Sequence, residues 1–146
     1  MFGDLLKRLT EPQPGRLPDP DARLALTALL VRVARSDGDY APDEIARIDR
    51  ILVRRYGLSP FEAAHLRVEA EQLETEAPDN VRFTRAIKDA VPYEDRSAVI
   101  EALWAVVLAD GVRDEDEDAM IRLVASLLGV NDRDSALARQ RVQARR

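Results

Sequence analysis

Two copies of one acidic pattern offer the clearest chemistry in this sequence. Each copy has an Asp-Gly pair and a glutamate six residues after the glycine. The first copy runs from Asp37 to Glu44 and the second from Asp110 to Glu117. Carboxylates in such a pattern can bind a hard divalent cation, accept hydrogen bonds from the N–H groups of a turn, or cap the helix that follows.

The two aspartates lie at the carboxyl ends of predicted helices, an unfavourable place for an anion. Asp37 follows Val33 by four residues and Asp110 follows Val106 by four, so each continues an apolar helical stripe. The helix carbonyl groups there repel an exposed carboxylate by about 0.3–1 kcal/mol. Each aspartate therefore needs a compensating partner. The candidates are a bound cation, an arginine and the backbone N–H groups of the following turn.

The two glutamates also have a purely structural interpretation. Each fits the third position of a predicted helix, where its carboxylate can accept a hydrogen bond from the N-cap residue and complete a capping box. In the second copy, Asp114 is the predicted cap. Turn and cap roles therefore stand beside a cation site as alternatives, and the two do not exclude each other.

Helices must position these acids, because apolar residues recur at helical spacing along the chain and no alternating strand pattern occurs. The predicted helices cover residues 20–35, 42–56, 59–74, 79–91, 93–109, 114–128 and 131 onward. A short amphipathic helix over residues 1–10 and the proline-rich residues 11–18 form an N-terminal segment of residues 1–18. The prediction is a single all-α domain over residues 19–146, with about seven to eight helices in total.

An internal repeat organises these helices. At an offset of 73 residues Leu26 meets Val99, Leu30 meets Leu103, Ile48 meets Ile121 and Glu44 meets Glu117. Two helical hairpin halves related by pseudo-twofold symmetry would bury both apolar stripes in one core. This arrangement would bring the two acidic motifs near the symmetry axis.

The doubled motif, with small residues before each Asp-Gly pair, resembles the TerB-like family of all-α tellurite-resistance proteins. The resemblance covers roughly residues 20–132, and the N-terminal Met-Phe-x-x-Leu-Leu is similar to stand-alone bacterial members. It implies an association with tellurite resistance and stress responses. It also implies divalent-cation ligands at Asp37, Glu44, Asp110 and Glu117. Symmetry is incomplete, since Asp39 is matched by Val112.

Composition narrows the chemistry. The chain has no cysteine and one histidine, His65, which excludes thiolate chemistry and a zinc site of the usual type within one chain. All-oxygen ligands favour Ca²⁺, Mg²⁺ or Mn²⁺ as the possible metal. No phosphate loop, dinucleotide fingerprint or nucleophile elbow is present. We therefore expect no enzymatic activity.

The expected function is a binding or sensing module that uses the acidic motifs. The alternative is a protein–protein interaction adaptor in which the acids are only turn and helix caps. The formal net charge of −5 argues against nucleic acid as a partner, although the C-terminal tail is rich in arginine. No apolar run is long enough for a membrane span, and no secretory signal begins the chain, so we expect a cytoplasmic protein. The sequence leaves the protein partner and the oligomeric state unknown.

Overall fold

The computed structural model describes residues 19–36, 38–77, 84–85, 87–88, 91, 95–109 and 115–145, with only the backbone of residues 19, 20 and 115–117. Its six helices are α1 (Asp19–Ala34), α2 (Pro42–Tyr56), α3 (Pro60–Glu76), α4 (Arg96–Val107), α5 (Glu115–Leu127) and α6 (Asp132–Ala144). No strand occurs within these ranges, so the predicted all-α class is confirmed. No helix among them is long and apolar enough to cross a membrane.

The helix count differs from the predicted seven to eight, and the difference falls on two short elements. The predicted helix over residues 1–10 and the linker that follows it lie outside the described residues. The predicted fourth helix is described only in part: Thr84, Arg85, Ile87 and Lys88 are helical, and Val91, the last residue of the predicted range, lies in a bend. The six longer helices were all expected from the sequence.

Local signals in the sequence set the helix ends. Ser59 caps α3, because its hydroxyl accepts from the N–H of Glu62 at 3.1 Å while the Glu62 carboxylate accepts from the N–H of Ser59 at 3.0 Å. Asn131 caps α6 by accepting from the N–H of Asp134 at 2.8 Å. Gly57 follows α2 with φ of +64°, a left-handed conformation that suits glycine.

Helix α1 is more deeply buried than the single apolar stripe predicts. Every residue from Leu24 to Val31 is buried, because α1 packs against α2, α3, α4 and α5. The one polar residue in that stretch, Thr27, satisfies its hydroxyl by donating to the Arg23 carbonyl at 2.7 Å. A helix surrounded on nearly all sides is apolar all round, and α1 is therefore the centre of the fold.

The 73-residue repeat corresponds to equivalent positions in the core. Ile48 and Ile121 are both fully buried, and the pairs Leu26 with Val99 and Leu30 with Leu103 are buried as well. The first and third helices of each half, α1 with α3 and α4 with α6, make the most extensive contacts. The repeat therefore includes three helices per half rather than a hairpin alone. The exact pseudo-twofold relation between the halves stays a prediction.

Candidate functional site

Of the four predicted cation ligands, only Glu44 has a described side chain. Asp37 and Asp110 lie outside the described residues, and Glu117 is described only as backbone in the first turn of α5. Within the part of the chain that the structure describes, no three acidic or histidine side chains form a group able to hold a metal. Since three of the four predicted ligands fall outside that search, the cation site stays a prediction.

Glu44 lies in the first turn of α2 and is nearly fully buried, with 1% of its surface exposed. Its Oε1 accepts a hydrogen bond from the backbone N–H of Ala41 at 3.2 Å. Ala41 is the N-cap of α2, and Pro42 occupies the first helical position, where a missing N–H costs nothing. The predicted cap role of Glu44 is confirmed, although Ala41 has no side-chain oxygen to form the reciprocal bond of a full capping box.

Residues on both sides of the first Asp-Gly loop form hydrogen bonds to α3. Before the loop, the Arg35 guanidinium donates to the Glu74 carboxylate at 3.2 Å and to the Glu71 carbonyl at 3.3 Å. After the loop, the Tyr40 hydroxyl donates to the Glu71 carboxylate at 2.7 Å. The Arg35 guanidinium also lies 4.9 Å from the centre of the Tyr40 ring, a cation–π distance. The two flanks therefore contact each other as well as α3.

Arg67 joins this group of side chains to α2. Its guanidinium contacts the Asp49 carboxylate at 2.6 Å and the Glu71 carboxylate at 3.0 Å. We call Arg35, Tyr40, Arg67, Glu71 and Glu74 the loop clamp. Because charged hydrogen bonds in partly buried positions are stronger than neutral ones, the clamp holds the ends of the motif loop in fixed positions.

The loop clamp changes the acid–base behaviour of Tyr40. Burial raises the pKa of the Tyr40 hydroxyl above its ordinary value of 10.0, and the hydrogen bond to the Glu71 carboxylate and its negative charge raise the pKa further. The nearby cations Arg67 and Arg35 offset only part of this rise in the pKa. Tyr40 is therefore a hydrogen-bond donor at neutral pH.

Sequence reasoning missed the loop clamp. The Arg67–Glu71 pair has the spacing of four residues that a helix brings together, so that contact was open to prediction. Arg35 and Glu74 are 39 residues apart in the chain, and only the packing of α1 on α3 brings them together. No sequence signal of short range reports such a contact.

His65 and Trp104 both have structural roles. His65 is 70% exposed at its side chain and lies 2.9 Å from the Glu69 carboxylate, one turn along α3. Trp104 is buried and donates its indole N–H to the Ser135 hydroxyl at 3.2 Å. In the described residues, His65 has no nucleophile beside it, as a catalytic histidine would need.

The residues that the structure describes form an all-α domain with a buried acid, Glu44, after the first Asp-Gly pair. A family model described as "Tellurite resistance protein TerB" matches residues 23–140. The chain belongs to the TerB family, and the resemblance noted from the doubled motif is confirmed. No curated protein and no solved structure matched the chain.

Proposed function

We propose that this TerB-family chain is a non-enzymatic binding module that takes up a divalent cation through its two acidic motifs. The ligands would be the carboxylates of Asp37, Glu44, Asp110 and Glu117. The family name associates the chain with tellurite resistance, and we extend the proposal to a role in that stress response. Cation uptake would alter the motif loops and so the surface offered to a partner.

The observation that carries the proposal is the burial of the Glu44 carboxylate. Removing a carboxylate from water is costly unless donors or cations surround it, and Glu44 is 1% exposed. The loop clamp holds the flanks of the neighbouring Asp-Gly loop, as a preorganised ligand loop requires. One oxygen of Glu44 already accepts from Ala41, so its role as a ligand would be added to its role as a cap.

The type of cation follows from the type of ligand. Four carboxylates and no thiolate or imidazole make an all-oxygen set, which suits Ca²⁺, Mg²⁺ and Mn²⁺ better than zinc. Among these, Ca²⁺ accepts the most irregular arrangement of ligands. The chemistry supplied by such an ion would be charge neutralisation between the two halves.

Calorimetric titration of the full chain with Ca²⁺, Mg²⁺ and Mn²⁺ tests this proposal. We expect saturable heats with the wild type and an affinity lowered at least about tenfold in the Asp37→Asn, Asp110→Asn double variant. Glu44→Gln separates the two roles of that residue, because the amide oxygen can still accept from Ala41 while the charge is lost. Asp43→Asn is the matched control, since Asp43 is an exposed acid in the same turn.

Equal and negligible heats for the wild type and the double variant would remove the cation proposal. The proposal also fails if Asp43→Asn weakens binding as much as Glu44→Gln, because the effect would then be one of general charge. A thermal unfolding scan of each variant ensures that lost heat reflects lost binding and not lost structure.

A second candidate is a protein-interaction adaptor whose acids serve only as turn and helix caps. The hydrogen bond from Ala41 to Glu44 favours it, because that contact gives one of the four acids a structural role as a helix cap. In an adaptor, the Asp37→Asn, Asp110→Asn variant would bind its protein partner as the wild type does. Loss of partner binding in that variant would contradict the adaptor and favour a cation-dependent surface.

A further inference from the structure

An open groove runs between α2 and α4 on the side of the molecule where α6 ends. Its volume is about 950 Å³, near the upper end for a ligand pocket. Helix α2 lines it with residues 47, 49–51 and 53–55, and α4 with residues 98, 101, 102 and 105. The α4 set has the spacing of one helical face, and α2 contributes most of its residues over two turns, so these two packed helices form the walls.

The rim of the groove is basic. Five arginines line it, Arg47, Arg50, Arg54, Arg55 and Arg145, against two acids. Both acids are already paired: Asp49 with Arg67 at 2.6 Å, and Glu101 with Arg145 at 3.3 Å. We call this feature the arginine groove. In a chain of formal net charge −5, such a concentration of arginine is a local reversal of charge.

Arg50 and Arg54 are two exposed arginines of the rim that are available to a partner. Both are exposed, and neither forms an ion pair with any acid among the residues that the structure describes. An exposed arginine without a carboxylate partner in the chain has its charge and the N–H donors of its planar guanidinium group available for a ligand. The groove therefore attracts anionic groups.

The floor of the arginine groove is apolar. Ile51 lies on the α2 side, and Ala98, Ala102 and Ala105 follow one another along α4. The lining stretch of each helix is about 10–12 Å long, which is two turns of an α-helix. Small alanine side chains allow a third helix to approach α4 closely, since interhelical distance depends on side-chain size.

From this combination we infer that the arginine groove binds an acidic amphipathic helix of a partner protein. Leucine-like side chains at helical spacing would fill the floor, and carboxylates on the flanks of the partner helix would pair with Arg50 and Arg54. The inference rests on the adaptor candidate, to which it adds a binding surface and a class of partner. It does not require a bound cation.

Other occupants fit the groove less well. A second copy of the chain placed with twofold symmetry would set arginine rim against arginine rim, which is repulsive. Nucleic acid is a polyanion that the formal net charge of −5 of the whole chain repels, and the groove lining has no aromatic side chain among the described residues on which a single strand could stack. A flat anionic surface would not reach the floor of a concave groove.

The test uses a fluorescent amphipathic peptide of about fifteen residues, long enough for a helix, with leucines on one face and glutamates on the other. Binding to the full chain is measured by fluorescence anisotropy, with and without EDTA. We expect saturable binding that weakens as salt rises and that is unchanged by EDTA. The same peptide with lysine in place of glutamate should show at least about tenfold weaker binding.

Two variants with matched controls locate the site. The Arg50→Glu, Arg54→Glu double variant should weaken binding at least about tenfold, whereas Arg122→Glu, Arg133→Glu reverses two exposed arginines outside the groove and should not. Ala98→Trp fills the floor and should weaken binding without a change of charge. Its control is Ala119→Trp, at an exposed alanine of α5.

The inference is overturned if the acidic peptide does not saturate the wild type below about 1 mM, or if the groove and control variants bind it equally. Equal binding of the lysine peptide, or peptide-independent dimers in sedimentation that the Arg50→Glu, Arg54→Glu variant abolishes, would also overturn it. Binding that requires Ca²⁺ and disappears in Asp37→Asn, Asp110→Asn would count against it while supporting the cation proposal. The two proposals can therefore fail separately.

Discussion

In the first half of the chain, α1 packs on α3, and in the second half α4 packs on α6, each the most extensive helix contact of its half. Both second helices are followed by a glycine in the left-handed conformation, Gly57 and Gly129. The two halves thus share the same main helix contact and the same kind of turn after the second helix. Their polar interactions differ.

Two arginines at equivalent places show the difference. Arg67 of α3 and Arg139 of α6 are 72 residues apart, the offset that also relates Gly57 to Gly129. Arg67 forms ion pairs with two carboxylates in the loop clamp. Arg139 instead lies 5.5 Å from the centre of the buried Trp104 ring.

The buried core positions and the polar contacts of a repeated fold are not equally free to diverge. The paired core positions carry the stability of both halves, and a change there would harm either one. The polar contacts between first and third helices need only satisfy their own donors and acceptors. The first half uses them to hold a loop, and the second half uses a buried hydrogen bond from Trp104 to Ser135.

The largest expected effect tests whether equivalent buried core positions in the two halves contribute equally to stability. Ile48→Ala and Ile121→Ala each remove a fully buried side chain at equivalent positions, and each should lower the free energy of unfolding by about 2–5 kcal/mol. Urea unfolding followed by circular dichroism measures both. If one substitution costs less than about 1 kcal/mol, the halves do not contribute equally to one core.

The next effect tests the polar difference. Ser135→Ala leaves the indole N–H of Trp104 without that acceptor in a buried position, and should lower the free energy of unfolding by about 1–3 kcal/mol. Tyr40→Phe should cost less than about 1 kcal/mol, because Tyr40 is half-buried and Glu71 keeps its ion pair with Arg67. The reverse order of the two costs in urea unfolding would contradict this difference between the polar contacts of the two halves.

The smallest effect is the dependence of stability on alkaline pH. The Tyr40 pKa is raised in the folded chain by burial and by Glu71, so the unfolded state loses the Tyr40 proton first, near the ordinary value of 10.0. The stability from this group is complete below that pH and is lost as pH rises towards the folded pKa. The free energy of unfolding should therefore fall less above pH 10 in Tyr40→Phe than in the wild type.

Absorbance of tyrosinate during an alkaline titration checks the same point directly. The wild type should show one more late-titrating tyrosine than Tyr40→Phe. Tyr56, whose pKa burial also raises, remains in both proteins and serves as an internal reference. A Tyr40 that titrates near pH 10 in the folded chain would show that the hydrogen bond to Glu71 does not persist in solution.

Sequence patterns predicted much of the fold because its determinants are local. Ser59 and Asn131 are cap residues three positions before the N–H they accept from, and Gly57 ends α2 through its own backbone conformation. The apolar stripes repeat every three or four residues, which is the helix period itself. The sequence did not predict how deeply α1 is buried, because the apolar pattern of one helix does not show how many other helices pack against it.

The candidate site was only partly predictable for a related reason. The cap role of Glu44 depends on a residue three positions away, and the sequence contained it. The loop clamp joins Arg35 to Glu74, and the arginine groove joins α2 to α4, over distances in the chain that no local pattern spans. That Asp37 and Asp110 lie close together stays a prediction.

The helical class, the helix ends and the repeated core positions follow from the amino-acid sequence, because the first two depend on interactions within a turn or two and the third on a repeated apolar pattern. The tertiary structure alone decided which charged side chains meet across helices and where arginines gather around an apolar floor. Such contacts depend on how helices pack, and packing is set by the whole core rather than by neighbours along the chain.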